Sequence, residues 1–145
     1  MNSIYCERFE IGALVMVYEG SHQEYDVIVD KDVMLSMRDG TRLATDIYFP
    51  SNNGTRSSGE FPVILERTPY NKSMPGQVTK AKYFTRRGYV CVIQDVRGRL
   101  ASEGEWYPFA KEAPDGYDTV EWLGTQPWCN GKVGTMGDSY AGRDQ

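Results

Sequence analysis

The sequence predicts an α/β fold in which an antiparallel hairpin is followed by parallel β-α-β units. Two features predict it. The dipeptide Asp39-Gly40 separates two runs of patterned hydrophobicity, and farther along two short apolar runs, residues 62–65 and 89–93, alternate with segments whose apolar residues recur at helical spacing. Of the 145 residues, 40% are hydrophobic and 12% aromatic, which is enough to build a buried core.

The hairpin is predicted from Asp30 onward. Apolar and polar residues alternate in its first run, and one side of its second run is apolar; these apolar positions are Val33, Leu35, Met37, Leu43, Ile47 and Phe49. Because Asp-Gly accepts the positive φ angles of a type I′ turn, we expect a tight antiparallel pair. Residues 50–60, rich in Pro, Ser, Asn and Gly, are predicted to form an exposed loop, and residues 1–29 an N-terminal arm with no assigned role.

Two helices are predicted between the later strands. The first has Val78, Ala81 and Phe84 on one face and ends at Gly88, and its solvent face and last turn carry the basic cluster of Lys80, Lys82, Arg86 and Arg87. The second is predicted to be capped by Asp115 and to end before Pro127. Residues 131–136 then return to an extended segment, so the later strands are expected to run parallel.

A serine motif follows this last strand directly. Residues 137–142 have the sequence Gly-Asp-Ser-Tyr-Ala-Gly. A serine at a strand-to-helix turn is held in a strained, exposed conformation above the sheet edge, and small neighbours are needed because the chain reverses tightly. The general nucleophile motif of α/β folds is Gly-x-Ser-x-Gly, and Ala141 stands at its second glycine. The motif alone therefore has low specificity. Its position at the end of a β-α-β strand, where ligand sites form, favours a nucleophile at Ser139.

Four further features occur in a recognisable order along the chain. They are Met-Arg-Asp-Gly-Thr-Arg-Leu-Ala-Thr-Asp-Ile-Tyr at residues 37–48, Arg-Thr-Pro-Tyr-Asn-Lys at 67–72, Asp-Val-Arg-Gly-Arg at 95–99 with Ser-Glu-Gly at 102–104, and Trp-Cys-Asn-Gly-Lys-Val-Gly at 128–134 before the serine motif. Together they resemble the X-Pro dipeptidyl-peptidase and cocaine-esterase family of serine hydrolases. In that family the tight turn that carries the nucleophile, called the nucleophile elbow, has the sequence Gly-x-Ser-Tyr-x-Gly. The resemblance covers residues 30–145 and implies the N-terminal half of an α/β-hydrolase domain, truncated after its nucleophile elbow.

The resemblance also implies roles for individual residues. Ser139 would be the nucleophile, with the backbone N–H of Tyr140 and the hydroxyl of Tyr70 as oxyanion donors, and with no metal or organic cofactor. From the residues alone, Tyr70 is better explained as a loop aromatic packed on the core. Asp95 and Arg97 are better explained as an ion pair or loop anchor than as catalytic groups. Leu100 stands where many relatives have a small residue, which leaves the shape of that loop open.

The acid and base of a catalytic triad have no candidate in this sequence. In α/β-hydrolases they follow the serine in the order Asp or Glu, then His, but no histidine follows Gly142, and Asp138 and Asp144 lie too near the serine along the chain. The single histidine, His22, lies in a polar stretch far upstream, which is typical of a solvated loop. We therefore expect either a truncated chain or completion by a second polypeptide.

Composition excludes several other classes of protein. With 16 basic and 20 acidic residues the net charge is -4, so no nucleic-acid partner is expected. No apolar run approaches the ~20 residues that cross a bilayer, and the chain is predicted to be cytoplasmic with no membrane partner. Cys6, Cys91 and Cys129 have no zinc-site spacing, and Cys91 is predicted to be a core residue. The glycines at residues 131–137 match neither a phosphate loop nor a dinucleotide fingerprint.

Two functional hypotheses follow. The first is a serine hydrolase that cleaves a small-molecule ester, an acyl-amide or an X-Pro peptide through an acyl-serine intermediate, with little activity in this chain alone. The second is a catalytically inactive half-domain that acts as an interaction or assembly partner. A nucleotide-binding α/β domain also fits the β-α-β order, but the sequence lacks an intact glycine fingerprint for it. Because the nucleophile strand is predicted to lie at an apolar sheet edge, we also expect marginal stability and dimerisation or aggregation.

Overall fold

The computed structural model describes residues 20–144 and the backbone of residues 6–8 and 14–16; most of the predicted N-terminal arm lies outside them. The described elements are β1 (Cys6–Arg8), β2 (Leu14–Met16), β3 (Asp26–Ser36), β4 (Arg42–Asn52), β5 (Thr55–Arg56), β6 (Phe61–Thr68), α1 (Pro75–Thr85), β7 (Val90–Asp95), α2 (Glu112–Gly124), β8 (Cys129–Thr135) and α3 (Ser139–Arg143). The predicted order of hairpin, strand, helix, strand, helix, strand is confirmed.

The described strands form two sheets. β1 and β2 pair antiparallel by themselves, and the larger sheet has the order β3-β4-β7-β6-β8, with β5 added on β4. Its first pairs, β3 with β4 and β4 with β7, are antiparallel, whereas β7 with β6 and β6 with β8 are parallel. The sheet is therefore α/β with a parallel half, and the carboxyl ends of β6, β7 and β8 lie at one edge.

Helices cover both faces of this sheet. Successive residues of β7 face opposite sides: Val90 and Val92 pack in a cluster with Leu123 of α2, whereas Cys91 and Ile93 pack with Ala81 of α1. A strand covered on both faces can be apolar throughout, which is why β7 has a continuous apolar run rather than an alternating one. The prediction that Cys91 is a small core residue is confirmed.

The hairpin turn differs from the predicted type. The N–H of Gly40 donates to the carbonyl of Met37 at 2.8 Å, and φ is positive at Gly40 but not at Asp39. A type I′ turn needs positive φ at both residues, so this prediction is wrong, and the loop is a three-residue turn that ends in a glycine bulge. The Asp39 carboxylate favours this form because it accepts the N–H of Thr41 at 3.1 Å and pairs with Arg97.

Element boundaries also differ in places. β3 begins at Asp26, and residues 50–60 are not all loop, because β4 extends to Asn52 and pairs with β5. Asp115 is not the cap of α2: the helix begins at Glu112, with Lys111 at the cap position. Asp115 is instead buried in the first turn, where it pairs with a cation from another loop.

The first helix largely follows its prediction. Gly88 has φ +87° just beyond α1, as a helix stop requires, and Lys82 and Arg86 are exposed near the helix end. Lys80 differs, since its ammonium group lies 2.8 Å from the fully buried carboxylate of Glu66. No helix in the described part of the chain is long and apolar enough to cross a membrane.

Candidate active site

Ser139 lies in a strained turn between β8 and α3. Its φ is +52°, in the left-handed region that residues with a side chain rarely adopt, and it is the first residue of α3. The side chain is exposed. A non-glycine residue in this region marks a position that the surrounding structure forces, and such strain concentrates at functional sites.

Two glycines make the turn possible. A Cβ at Gly137 would lie 2.5 Å from the carbonyl carbon and oxygen of Ala141, and a Cβ at Gly142 would lie 3.0 Å from the carbonyl oxygen of Gly137. The chain therefore crosses itself where residue 137 meets residues 141 and 142. This close approach explains why the second glycine is at position 142, while Ala141 is buried.

The turn lies at the carboxyl edge of the parallel strands. The N–H of Met136 donates to the carbonyl of Leu65 at 2.9 Å, which extends the pairing of β8 with β6 almost to the turn. Tyr70 follows the end of β6, and the loop of Asp95 and Arg97 follows the end of β7. Residues far apart in sequence are thus brought to one edge, where α/β sheets form their ligand sites.

Tyr70 lies at this edge with its side chain 54% exposed, so it is not packed into the core. Its ring centroid is 6.4 Å from that of Tyr140, in an edge-to-face arrangement. Two contacts hold its loop: the Asp95 carboxylate accepts the N–H of Lys72 at 2.8 Å, and the Arg99 guanidinium donates to the carbonyl of Pro69 at 3.0 Å.

Asp95 and Arg97 have structural partners. Burial raises the pKa of Asp95, whose carboxylate anchors the Tyr70 loop. Arg97 donates to both carboxylate oxygens of Asp115, at 2.9 and 2.6 Å, and these hydrogen bonds raise its pKa. In the same loop, Leu100 has φ +50° and is 56% exposed.

The side chain of Tyr140 is fixed at its ring and at its hydroxyl. The ring stacks on Phe109 with 4.3 Å between centroids. The hydroxyl accepts the N–H of Phe109 at 3.2 Å and donates to Oε1 of Glu112 at 3.3 Å. Desolvation is the main cause that raises the Tyr140 pKa, so the phenol stays protonated and keeps its role as donor.

Arg67 is fully buried behind the turn. Its guanidinium donates to Oε1 of Gln94 at 3.0 Å, to the carbonyl of Glu112 at 2.9 Å and to the carbonyl of Asp144 at 2.6 Å, and it pairs with the Glu112 carboxylate at 3.3 Å. Because Asp144 is the C-cap of α3, Arg67 connects β6 to the far end of the helix that begins at Ser139.

Two buried carboxyl groups, those of Glu112 and Asp144, lie near this one guanidinium. Burial raises the pKa of Glu112, and burial followed by repulsion from Glu112 raises the pKa of Asp144 to about 7. Neither oxygen of the Asp144 carboxyl has a hydrogen-bond partner among residues 20–144. The sequence did not predict that Arg67, Glu112 and Asp144 form a cluster. Arg67 is separated along the chain by 45 residues from Glu112 and by 77 residues from Asp144.

His22 lies away from this site. The neighbouring Ser21 accepts a hydrogen bond from Arg87, and Glu24 donates to the carbonyl of Arg86, just before β7 begins. That is the amino end of the parallel strands, whereas Ser139 follows a carboxyl end. The exposed imidazole is a loop group, as its polar surroundings in the sequence predict.

Similarity to known proteins identifies the family. Residues 39–145 match the model of the X-Pro dipeptidyl-peptidase (S15) family. The chain belongs to this family. It is 45% identical over 121 residues to a cocaine esterase of Rhodococcus sp. (strain MB1 Bresler), a match that covers 81% of this chain, and 35% identical over 130 residues to a putative serine esterase of Mycobacterium bovis. These matches cover 20% of each relative, so the chain spans about a fifth of their length.

Two solved structures of hydrolases share the fold. An alpha-amino acid ester hydrolase superposes with a TM-score of 0.67 at 32% identity, covering 88% of this chain and 24% of its own. A CocE/NonD family hydrolase of Staphylococcus aureus gives a TM-score of 0.68 at 30% identity, covering 79% and 24%. The predicted fold class is confirmed: the described residues form the N-terminal part of an α/β-hydrolase fold.

Proposed function

We propose that this chain supplies the nucleophile and the oxyanion donors of a serine hydrolase that cleaves an ester, an acyl-amide or an X-Pro peptide bond. The observation that carries the proposal is the turn at Ser139, where a positive φ and two indispensable glycines hold an exposed hydroxyl at the carboxyl edge of the parallel strands. Membership of the S15 family supports it, as do relatives named as esterases.

In this proposal the Ser139 oxygen attacks the carbonyl carbon of the substrate. The hydroxyl proton passes to a base, and the carbonyl electron pair moves to oxygen, which becomes the oxyanion. The backbone N–H of Tyr140 and the hydroxyl of Tyr70 donate to that oxygen. The protonated base then gives its proton to the leaving group, which departs as the alcohol or amine and leaves an acyl-Ser139 ester that water hydrolyses in a second step.

The proposal assigns no general base to this chain. The one histidine of the sequence lies near the amino ends of the strands, and a neutral serine hydroxyl is a poor nucleophile without a base. Turnover of an ordinary ester by the 145-residue chain is therefore expected to be close to that of buffer. A reagent more reactive than a substrate, together with an external base, provides a direct test.

The first prediction is that a fluorophosphonate reacts at Ser139 when imidazole is supplied as the external base. The adduct is located by peptide mass spectrometry. The wild-type chain and the control Ser58→Ala, which changes an exposed loop serine, should be labelled at residue 139 at a rate that rises with imidazole concentration, whereas Ser139→Ala should not. Equal labelling of wild type and Ser139→Ala, or no labelling of wild type at any imidazole concentration, would overturn the assignment.

A further inference from the structure

Glu112 contacts both groups that hold the serine turn. Its Oε1 accepts the hydroxyl of Tyr140 at 3.3 Å, and its Oε2 lies 3.3 Å from the guanidinium of Arg67. The residue is only 7% exposed. A buried carboxylate needs charged or hydrogen-bonding partners, and here one oxygen has a cation and the other has the tyrosine hydroxyl.

These contacts hold α3 at both ends. Near its start, Tyr140 is attached through its hydroxyl to Glu112 and to the N–H of Phe109. At its end, the carbonyl of Asp144 accepts the guanidinium of Arg67, which also donates to the backbone carbonyl of Glu112. The first turn of α2 is thus the common support of a helix of only five residues.

A short helix after a strained residue needs such support. The positive φ of Ser139 is a strained conformation, and relaxation of that residue would rotate the peptide unit that joins it to Tyr140. The N–H of that unit is the proposed oxyanion donor. Donors of this kind act only when they point at the developing charge before the reaction begins.

We infer that Glu112 is a positioning residue for the oxyanion site: by linking the Tyr140 hydroxyl, on one carboxylate oxygen, to Arg67, on the other, it fixes the direction of the Tyr140 backbone N–H. The oxyanion role in this inference rests on the proposed function, whereas the contacts of Glu112 with Tyr140 and Arg67 do not depend on it. Glu112 does not touch the reacting atoms. Its effect is on the rate of the chemical step and not on the affinity for the reagent.

Three variants separate the contacts. Tyr140→Phe keeps the ring stacked on Phe109 and removes only the hydroxyl. Glu112→Ala removes both contacts of the carboxylate. Glu112→Gln retains both partners: its amide oxygen can accept from Arg67, and its NH₂ group can donate to the Tyr140 hydroxyl, which reverses the direction of that hydrogen bond.

The matched control for Glu112→Gln is Glu66→Gln. Glu66 is also a buried glutamate with one cation, Lys80 at 2.8 Å, and one neutral donor, Gln77 at 2.9 Å, but it contacts α1. The control for Tyr140→Phe is Tyr83→Phe, since Tyr83 is an exposed tyrosine of α1.

The second prediction concerns fluorophosphonate labelling of the full 145-residue chain at saturating imidazole. The first-order rate constant at saturating reagent should fall at least about tenfold in Tyr140→Phe and Glu112→Ala, with the half-saturating concentration unchanged, because one oxyanion donor is worth ~10²–10³ in rate when removed entirely. Glu112→Gln should stay within about threefold of wild type. Both controls should match wild type.

A second measurement does not depend on reactivity. In ¹H–¹⁵N NMR spectra, Tyr140→Phe should shift the residue-140 amide and speed its hydrogen exchange, while Tyr83→Phe leaves that amide unchanged. A rate constant and residue-140 amide equal to wild type in Tyr140→Phe would overturn the inference, even if Glu112→Ala fails to fold. An unlabelled wild type with the NMR effect present would overturn the proposed function and leave the positioning contact standing.

Discussion

At the scale of single residues, Gly137 is the position that the serine turn tolerates least. Its missing Cβ would meet the Ala141 carbonyl group at 2.5 Å, and both contacted atoms are backbone, which cannot move aside as the end of a flexible side chain could. Gly76 in α1 is the opposite case, since a Cβ there meets nothing within 4 Å. An alanine at residue 137 therefore tests steric overlap in the folded state, whereas an alanine at residue 76 tests only the loss of backbone freedom.

The third prediction is that Gly137→Ala destabilises the chain by about 1–3 kcal/mol or more, as overpacking does, and abolishes labelling at Ser139. Gly76→Ala should stabilise it by roughly 0.5–1 kcal/mol, because alanine loses less entropy in a helix. Urea unfolding followed by circular dichroism gives both free energies. If Gly137→Ala unfolds at the same urea concentration as Gly76→Ala, the backbone of residue 137 does not lie as close to the carbonyl of residue 141 as the structure shows.

Asp144 predicts how stability depends on pH. Burial, then repulsion from Glu112, raises its pKa to about 7, far above the ordinary value of 3.8 that it regains on unfolding. The folded chain therefore holds a proton on this group that the unfolded chain releases. This proton favours folding most strongly at low pH, and the advantage declines as the pH rises from about 4 to about 7.

The fourth prediction is that the free energy of unfolding falls by on the order of 2 kcal/mol between pH 5 and pH 8 through this group. Asp144→Asn, which is neutral throughout, should remove that part of the slope. Asp118→Asn provides a contrast, because hydrogen bonding to Arg38 lowers the pKa of Asp118. The charged Asp118 carboxylate stabilises the fold at neutral pH, so its replacement by asparagine should lower the free energy of unfolding there. An unchanged slope in Asp144→Asn would show that Asp144 is not the group that titrates.

At the scale of elements, local patterns predict most of the fold. The apolar runs of β6 and β7 and the helical spacing of Val78, Ala81 and Phe84 are signals within a few residues, and each element forms where its pattern lies. The serine turn is of the same kind, since its glycines contact each other across five residues. Such features can be predicted because sequence neighbours decide them.

Features that depend on distant partners are missed. The sequence predicts a buried apolar strand over residues 62–65, and β6 continues beyond it to Thr68 with Glu66 and Arg67 fully buried. These charges are buried because partners from α1, α2 and α3 surround them. The misassigned cap of α2 has the same cause: Asp115 has the residue type of a cap, but Arg97 holds it inside the first turn.

At the scale of the whole molecule, the two edges of the large sheet differ. β3 forms one edge and carries a register shift between Asp30 and Val33, with exposed Lys31 and Asp32 at the irregularity, and such bulges and charges oppose pairing with another strand. β8 forms the other edge among the described strands. Its pairing with β6 also shifts register, between Phe61 and Val63, but it is regular from Val133 to Thr135, beside an open groove of ≈ 300 Å³ whose lining includes Leu65, Val120 and Thr135.

We propose that two copies of this chain pair through β8, and the fifth prediction tests that contact. Unpaired N–H and C=O groups along the outer side of residues 133–135 favour the addition of a strand, and the groove beside them offers apolar surface to bury at the same time. A lysine at Thr135, where the end of β8 meets the groove, would lose hydration in such a contact without gaining a partner, so Thr135→Lys should keep the chain monomeric at concentrations where wild type forms dimers in sedimentation velocity. Thr55→Lys, a change at a residue of β5 that is also exposed, should associate as wild type does.

A second readout of the same contact is the rate of labelling at Ser139. Because each dimer would cover the groove next to the serine turn, this rate should fall as the wild-type concentration rises and should not fall in Thr135→Lys. If wild type is monomeric at every concentration, β8 is not a pairing edge between copies.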